Sequence, residues 1–226
     1  MDRLIIEEHA ASLYLMDVGE LEDEACFWRN YSSVSPARRA KIDSFRFMKD
    51  KRLSLGAGML LARGLSDHGL AGAALVCGEN GKPYLADAPQ LYFNLSHSEQ
   101  MVLAVFADVE AGCDVERIRG ADLALARRFF CHGEYEYVAG QAGEKERNEA
   151  FYRIWTLKES FAKATGLGLS LDLDAYEIQI GPEGTAGVCQ SVDDAQYRFR
   201  EYVFGQYRAA VCFRRPARSS TEGFRE

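Results

Sequence analysis

Apolar and polar residues alternate from Ser12 to Met16, the period of two that marks a half-buried strand. Helical character follows from Leu21 to Tyr31. Ser35-Pro36 then opens a helix, with serine as N-cap and proline in the first turn. The helical pattern over residues 38–62 falls into two parts joined near Phe47-Met48-Lys49-Asp50. Strand-like pieces follow at 74–77, 83–85, 91–95 and 101–107, the last two forming a hairpin around Ser96-His97-Ser98-Glu99.

The order then begins again. Residues 113–118 read as a strand, 122–130, 133–138 and 148–165 as helices, and 176–180, 197–204 and 207–213 as strands. Residues 141–147 read as a charged loop. Strands and helices in blocks, joined by hairpins, predict an α+β fold with mainly antiparallel sheets. The repeated order predicts two similar halves, 1–109 and 110–213, followed by a frayed polar tail over 214–226.

With 226 residues the chain buries a sizeable core without needing a disulfide or metal. A net charge of −7 argues against a general nucleic-acid binder. The six cysteines are scattered, with no CxxC and no zinc spacing, which suits a reducing cytoplasm. Five have apolar neighbours and read as buried thiols, with Cys131 the exception. No apolar leader or long apolar run predicts a signal peptide or a membrane span.

Candidate chemistry lies in the second half. In Gly112-Cys113-Asp114-Val115-Glu116, strand alternation turns Asp114 and Glu116 to one face and Cys113 and Val115 to the core. Alone, this pentapeptide fits a solvated strand face, with Glu116 paired to Arg117 or Arg119, better than a site. In Trp155–Lys163, Leu157, Phe161 and Ala164 share the core face, and Glu159 and Lys163 lie opposite. A surface salt bridge worth roughly 0.2–0.5 kcal/mol explains that pair but not Trp155 on the same side. Asp114, Glu116 and Glu159 together would form an all-oxygen set, which favours Mg²⁺ or Mn²⁺ over zinc and implies a phosphate-bearing substrate. The first half offers cations: Arg38 and Lys41 on one helix face, Lys51-Arg52, and Lys82 in the turn Gly81-Lys82-Pro83. His97 stands between Ser96 and Ser98 at a strand-to-turn corner suited to ligand contact.

In this order, Ser35-Pro36…Arg38…Lys41, Gly81-Lys82-Pro83, Phe93-Asn94-Leu95-Ser96-His97-Ser98, Gly112-Cys113-Asp114-Val115-Glu116, Phe129-Phe130…Glu134-Tyr135 and Trp155…Lys158-Glu159-Ser160…Lys163 resemble the Sfp-type 4′-phosphopantetheinyl transferases. The likeness continues into Gly166-Leu167-Gly168-Leu169-Ser170-Leu171 and covers about residues 12–213. The resemblance implies a monomeric pseudodimer of α+β halves with the active site in the cleft between them. It implies transfer of the 4′-phosphopantetheine arm of coenzyme A to a serine of an acyl, peptidyl or polyketide carrier protein, releasing adenosine 3′,5′-bisphosphate. It further implies Asp114, Glu116 and Glu159 as the magnesium-site acids. Arg38, Lys41, Lys82, Ser96, His97, Lys158 and Lys163 would surround the coenzyme A phosphates, and Glu159 and Lys163 would assist the chemistry.

There are departures. Arg38 stands where the family often has lysine, and Glu99 where it often has glycine. Arg52 has no secure counterpart and enters only as a nucleotide-contact candidate. A carrier would dock near Arg127, Arg128, Phe129 and Phe130, although a phenylalanine pair is more often core. A magnesium-dependent phosphoesterase and a non-catalytic coenzyme A-binding module are the competing readings.

Overall fold

The computed structural model describes residues 1–6 and 10–215, with only the backbone at position 169. Its first half contains β1 (Asp2–Ile6), β2 (Ala11–Asp17), α1 (Glu24–Ser33), α2 (Pro36–Ser44), α3 (Met48–Asp67), β3 (Leu75–Cys77), β4 (Pro83–Leu85), β5 (Tyr92–Ser98) and β6 (Met101–Ala107). The second contains β7 (Ala111–Arg117), α4 (Leu123–Phe129), α5 (His132–Ala139), α6 (Glu144–Thr165), β8 (Glu177–Ile180), β9 (Ala186–Cys189), β10 (Gln196–Phe204) and β11 (Tyr207–Arg215). The main sheets, β1-β2-β6-β5 and β10-β11-β7, are antiparallel, as are the hairpins β3-β4 and β8-β9. The fold is α+β.

Strand β6 shows how the layers arise. All seven of its residues are buried, because both of its faces are covered. Val102, Ala104 and Phe106 meet Leu55, Leu60 and Leu65 of α3. Leu103 and Val105 meet Cys113 and Val115 of β7 and Val211 and Phe213 of β11. The two sheets therefore pack face to face. On the outer face of the second sheet, α6 packs through Ile154, Leu157 and Phe161 near Ala210 and Cys212.

Ser35 caps α2 as expected, accepting from the Arg38 amide at 3.2 Å. Several expectations change. Ser96, His97 and Ser98 belong to β5, and the turn is Glu99-Gln100, between the paired residues Ser98 and Met101. Helix α6 begins at Glu144, inside the expected loop, with Glu144 and Glu146 favouring its N-terminal dipole. Arg214 and Arg215 of the expected tail belong to β11, and the Arg214 guanidinium meets Asp193 at 3.0 Å. The rest of that tail, 216–226, lies outside the described residues. Cys113 and Cys212 are buried, but Cys77 and Cys189 are exposed. Among the described residues no helix is long and apolar enough to cross a membrane.

Candidate active site

The site forms where β5, β7 and α6 meet. Asn94, Ser96 and Ser98 alternate along β5 and turn one row of polar side chains toward β7. Asn94 accepts from the Cys113 amide at 3.0 Å. The Ser96 hydroxyl donates to Asp114 Oδ1 at 2.8 Å, and that of Ser98 donates to Glu116 Oε2 at 2.6 Å. Polar side chains thus join the edges of the two sheets and orient both strand acids. Helix α6 comes close because position 112 is glycine. A Cβ there would collide with the Ser160 carbonyl and the Ala164 amide nitrogen. This approach brings Lys163 Nζ to 2.6 Å from Asp114 Oδ1 and 3.2 Å from Ser96 Oγ.

Ser96, Asp114, Glu116 and Lys163 line a cavity of 360 Å³ with Leu95, His97, Trp155 and Glu159. A groove of 590 Å³ shares Glu159 and Lys163 and adds Arg128, Phe129, Leu171 and Leu173. A larger cavity of 810 Å³ at Arg117, Arg119 and Lys145 lacks Asp114, Glu116 and Glu159. Its cations already have partners: Arg119 meets Glu99, Arg117 donates to Gln206, and Lys145 lies 3.9 Å from Glu149. It is in the smaller space that charge is left unsatisfied.

That imbalance is specific. Asp114 Oδ2 is buried and has no hydrogen-bond partner among the described residues. Loss of water pushes the Glu116 carboxyl up to about 7; Ser98 works against the rise and Asp114 adds to it. Burial also raises Glu159, with Lys163 opposing and Asp114 reinforcing the shift. Burial lowers the pKa of Lys163, but Asp114 outweighs it and leaves the ammonium above its ordinary value. Desolvation and then Lys163 hold His97 below the usual imidazole range, with a smaller contribution from Lys41. The cavity thus presents more acid than its one lysine neutralises, as a cation site would. Among the described residues no three His, Cys, Asp or Glu side chains are grouped closely enough to hold a metal ion by themselves. An octahedral Mg²⁺ held by one or two carboxylates, waters and substrate phosphates needs no such group.

The structure brings together Ser96, His97, Asp114, Glu116, Glu159 and Lys163. The other expected residues lie elsewhere. Lys158 is fully buried and paired with Glu134 at 2.6 Å, so it does not reach the cavity. Lys82 donates to Glu110 at 2.5 Å and to the Ala111 carbonyl at 3.2 Å. Arg38 stays on α2 with its stem against Gly58, and burial lowers its pKa. Lys41, also on α2, is exposed. Arg52 lies 3.6 Å from Glu22. Glu99 adopts a positive φ of 55° in the turn, a conformation that favours glycine. Its carboxylate is held by Lys49, at 2.9 Å, and by Arg119. Phe130 is core, stacked on Phe151 at 5.5 Å, whereas Phe129 lines the groove. Trp155 stacks on Phe151 at 6.0 Å and closes one side of the cavity.

Sequence reasoning missed the pairing of Glu134 with Lys158. Its signal was a lysine set between Ile154 and Phe161 on the apolar stripe of α6. It also gave Ser98 no role beyond flanking His97.

The model of the 4′-phosphopantetheinyl transferase superfamily matches residues 110–212. The chain is 34% identical over 189 residues to the 4′-phosphopantetheinyl transferase psf-1 of Bacillus pumilus, covering 81% of this chain and 80% of that one. It is 30% identical over 192 residues to the 4′-phosphopantetheinyl transferase Sfp of Bacillus subtilis (strain 168), covering 83% and 85%. The crystal structure of Thermotoga maritima holo-[acyl-carrier-protein] synthase aligns with a TM-score of 0.42 and 20% identity, covering 47% of this chain and 63% of that one.

Proposed function

The chain belongs to the 4′-phosphopantetheinyl transferase superfamily, and on that premise we propose that its cavity transfers the phosphopantetheine arm of coenzyme A to a carrier-protein serine. The observation that carries this reading is the buried, unpartnered Asp114 Oδ2 beside the Lys163–Ser96–Asp114 triangle. It marks a place prepared for a cation next to an ammonium group that can meet a phosphate.

The serine oxygen attacks the β-phosphorus of the coenzyme A pyrophosphate. A new P–O bond forms, the bond from that phosphorus to the bridging oxygen breaks, and adenosine 3′,5′-bisphosphate leaves with the bridging oxygen. Lys163 stabilises the charge that builds on the phosphate oxygens. Glu159, whose carboxyl is pushed above its ordinary value by burial, takes the serine proton directly or through water. One or two of Asp114, Glu116 and Glu159, with waters and the substrate phosphates, would hold magnesium, which when bound would neutralise pyrophosphate charge. His97, with Ser96, lines the phosphate side of the cavity. Lys41 and Arg38, which do not line the cavity, would meet the same substrate only where it extends toward α2, and Lys82 would join them only by leaving Glu110.

We place the carrier at the groove lined by Arg128 and Phe129, which opens onto Glu159 and Lys163. We assign the active-site halves to 1–109 and 110–213, related as a pseudodimer. We also place the protein in the cytoplasm, as a monomer, where scattered free thiols stay reduced. The test is to incubate the protein with coenzyme A, Mg²⁺ and a panel of apo acyl, peptidyl and polyketide carriers, then weigh each carrier. A gain of one phosphopantetheine arm on at least one carrier is expected. No gain on any of them would reject the reading.

A further inference from the structure

Lys158 immediately precedes Glu159, yet it points into the interior. Both Lys158 and Glu134 are completely buried. Lys158 Nζ donates to Glu134 Oε1 at 2.6 Å, Glu134 Oε2 at 2.7 Å and the Tyr176 carbonyl at 2.8 Å. Those three bonds use every ammonium proton. Glu134 also accepts from the Ile178 amide at 2.6 Å and the Cys131 amide at 2.7 Å. The Tyr176 hydroxyl returns a bond to the Lys158 carbonyl at 2.9 Å.

A buried ion pair is a poor source of stability, because desolvation offsets most of its Coulomb attraction. What this one fixes is geometry. It ties α6 to the first turn of α5 and to the entry of β8 at a single residue. Rotating or sliding α6 there would break several charge-assisted bonds together. The next residue along the helix is Glu159, which opens to both the cavity and the groove.

We propose that Glu134 and Lys158, locked by Tyr176, are positioning residues that set the rotation of α6 and so aim Glu159 into the cavity. The inference rests on the reading of Glu159 as a magnesium ligand. Neither residue touches substrate; both act through Glu159.

The experiment is a calorimetric titration of Mn²⁺ into the full-length protein saturated with coenzyme A, with coenzyme A affinity measured in parallel. The proteins compared are wild type, Lys158→Met, the double variant Glu134→Leu/Lys158→Met, and Glu159→Gln. Lys158→Met strands the Glu134 carboxylate in the interior and can fail to fold. The double variant removes both charges and avoids that penalty. We expect the folded variants of the pair to bind Mn²⁺ roughly 10–100-fold more weakly, with coenzyme A affinity within about twofold of wild type. Unchanged Mn²⁺ affinity in the double variant, with Glu159→Gln impaired, would overturn the proposal alone. Weakened coenzyme A affinity with Mn²⁺ affinity intact would also overturn it, by making Lys158 a phosphate contact. Wild-type Mn²⁺ binding by Glu159→Gln would remove the underlying ligand reading, and the proposal with it.

Discussion

Two of the lysines on helix α6, Lys158 and Lys163, stand five positions apart, each with a carboxylate oxygen 2.6 Å from its ammonium nitrogen. Lys158 is sealed: it and Glu134 are both 0% exposed, and its protons are all used. Lys163 is open: its side chain is 28% exposed, and Asp114 Oδ2 has no partner among the described residues. The two pairs are alike in distance and opposite in consequence. What a pair leaves unsatisfied, more than how close it is, decides whether it holds a fold or meets a ligand.

The sharpest way to break the comparison is to remove one member of each pair. Glu134→Ala leaves Lys158 charged and alone in the interior, and we expect a loss of about 3–5 kcal/mol in urea unfolding. Lys163→Ala should cost far less stability, because Lys163 is itself partly exposed and Asp114 keeps the hydrogen bond from Ser96. Its effect should be on chemistry, a drop of roughly 10²–10³ in the rate of carrier modification. Equal stability losses in the two variants would erase the distinction.

Gly112→Ala tests the shared scaffold. Its methyl forces α6 away from β7, and we expect about 1–3 kcal/mol of destabilisation by thermal melting, accompanied by lost activity. The open site should also titrate. Metal binding needs Glu116 deprotonated, and its carboxyl is pushed up to about 7. The Mg²⁺ concentration for half-activation should therefore fall about tenfold from pH 6 to pH 8. The metal-free protein should show the opposite trend. Its folded state holds a proton that the unfolded chain releases near pH 4.5, so stability declines as pH rises from there through about 7. Differential scanning calorimetry across that range, with and without Mg²⁺, reads both trends. Ser98→Ala is the mildest change, removing the hydrogen bond to Glu116, worth about 1 kcal/mol, and a longer one accepted from the exposed Arg117 amide. It should raise the Mg²⁺ requirement without altering the melting temperature by more than a few degrees.

Much of this arrangement was legible in the chain. Strand alternation alone put Asp114 and Glu116 on one face of β7, and helical periodicity put Glu159 and Lys163 together opposite Leu157 and Phe161. Ser35-Pro36 marked a helix start through local chemistry that needs no tertiary context. What failed to show depends on distant partners. Lys158 reads as one more helix lysine until Glu134, 24 positions earlier, is brought against it. The β5–β6 turn was misplaced because Glu99, not glycine, takes the positive φ, so the usual turn signal is missing. The start of α6 was hidden by Glu144-Lys145-Glu146-Arg147, whose charge suits a solvated first turn as well as a loop. Strands β1 and β9 went unread. Residues Asp2 to Leu4 are exposed, and β9 is short and only partly buried, so neither has a clear two-faced pattern.

The central claim is that transfer occurs where the open pair meets the unpartnered oxygen. Its most direct test is the mass of an apo carrier after timed incubation with coenzyme A, Mg²⁺ and either wild type or Asp114→Asn. Wild type should add one phosphopantetheine arm, while the folded variant leaves the carrier at its starting mass over the same interval. Equal modification by both proteins would contradict the account.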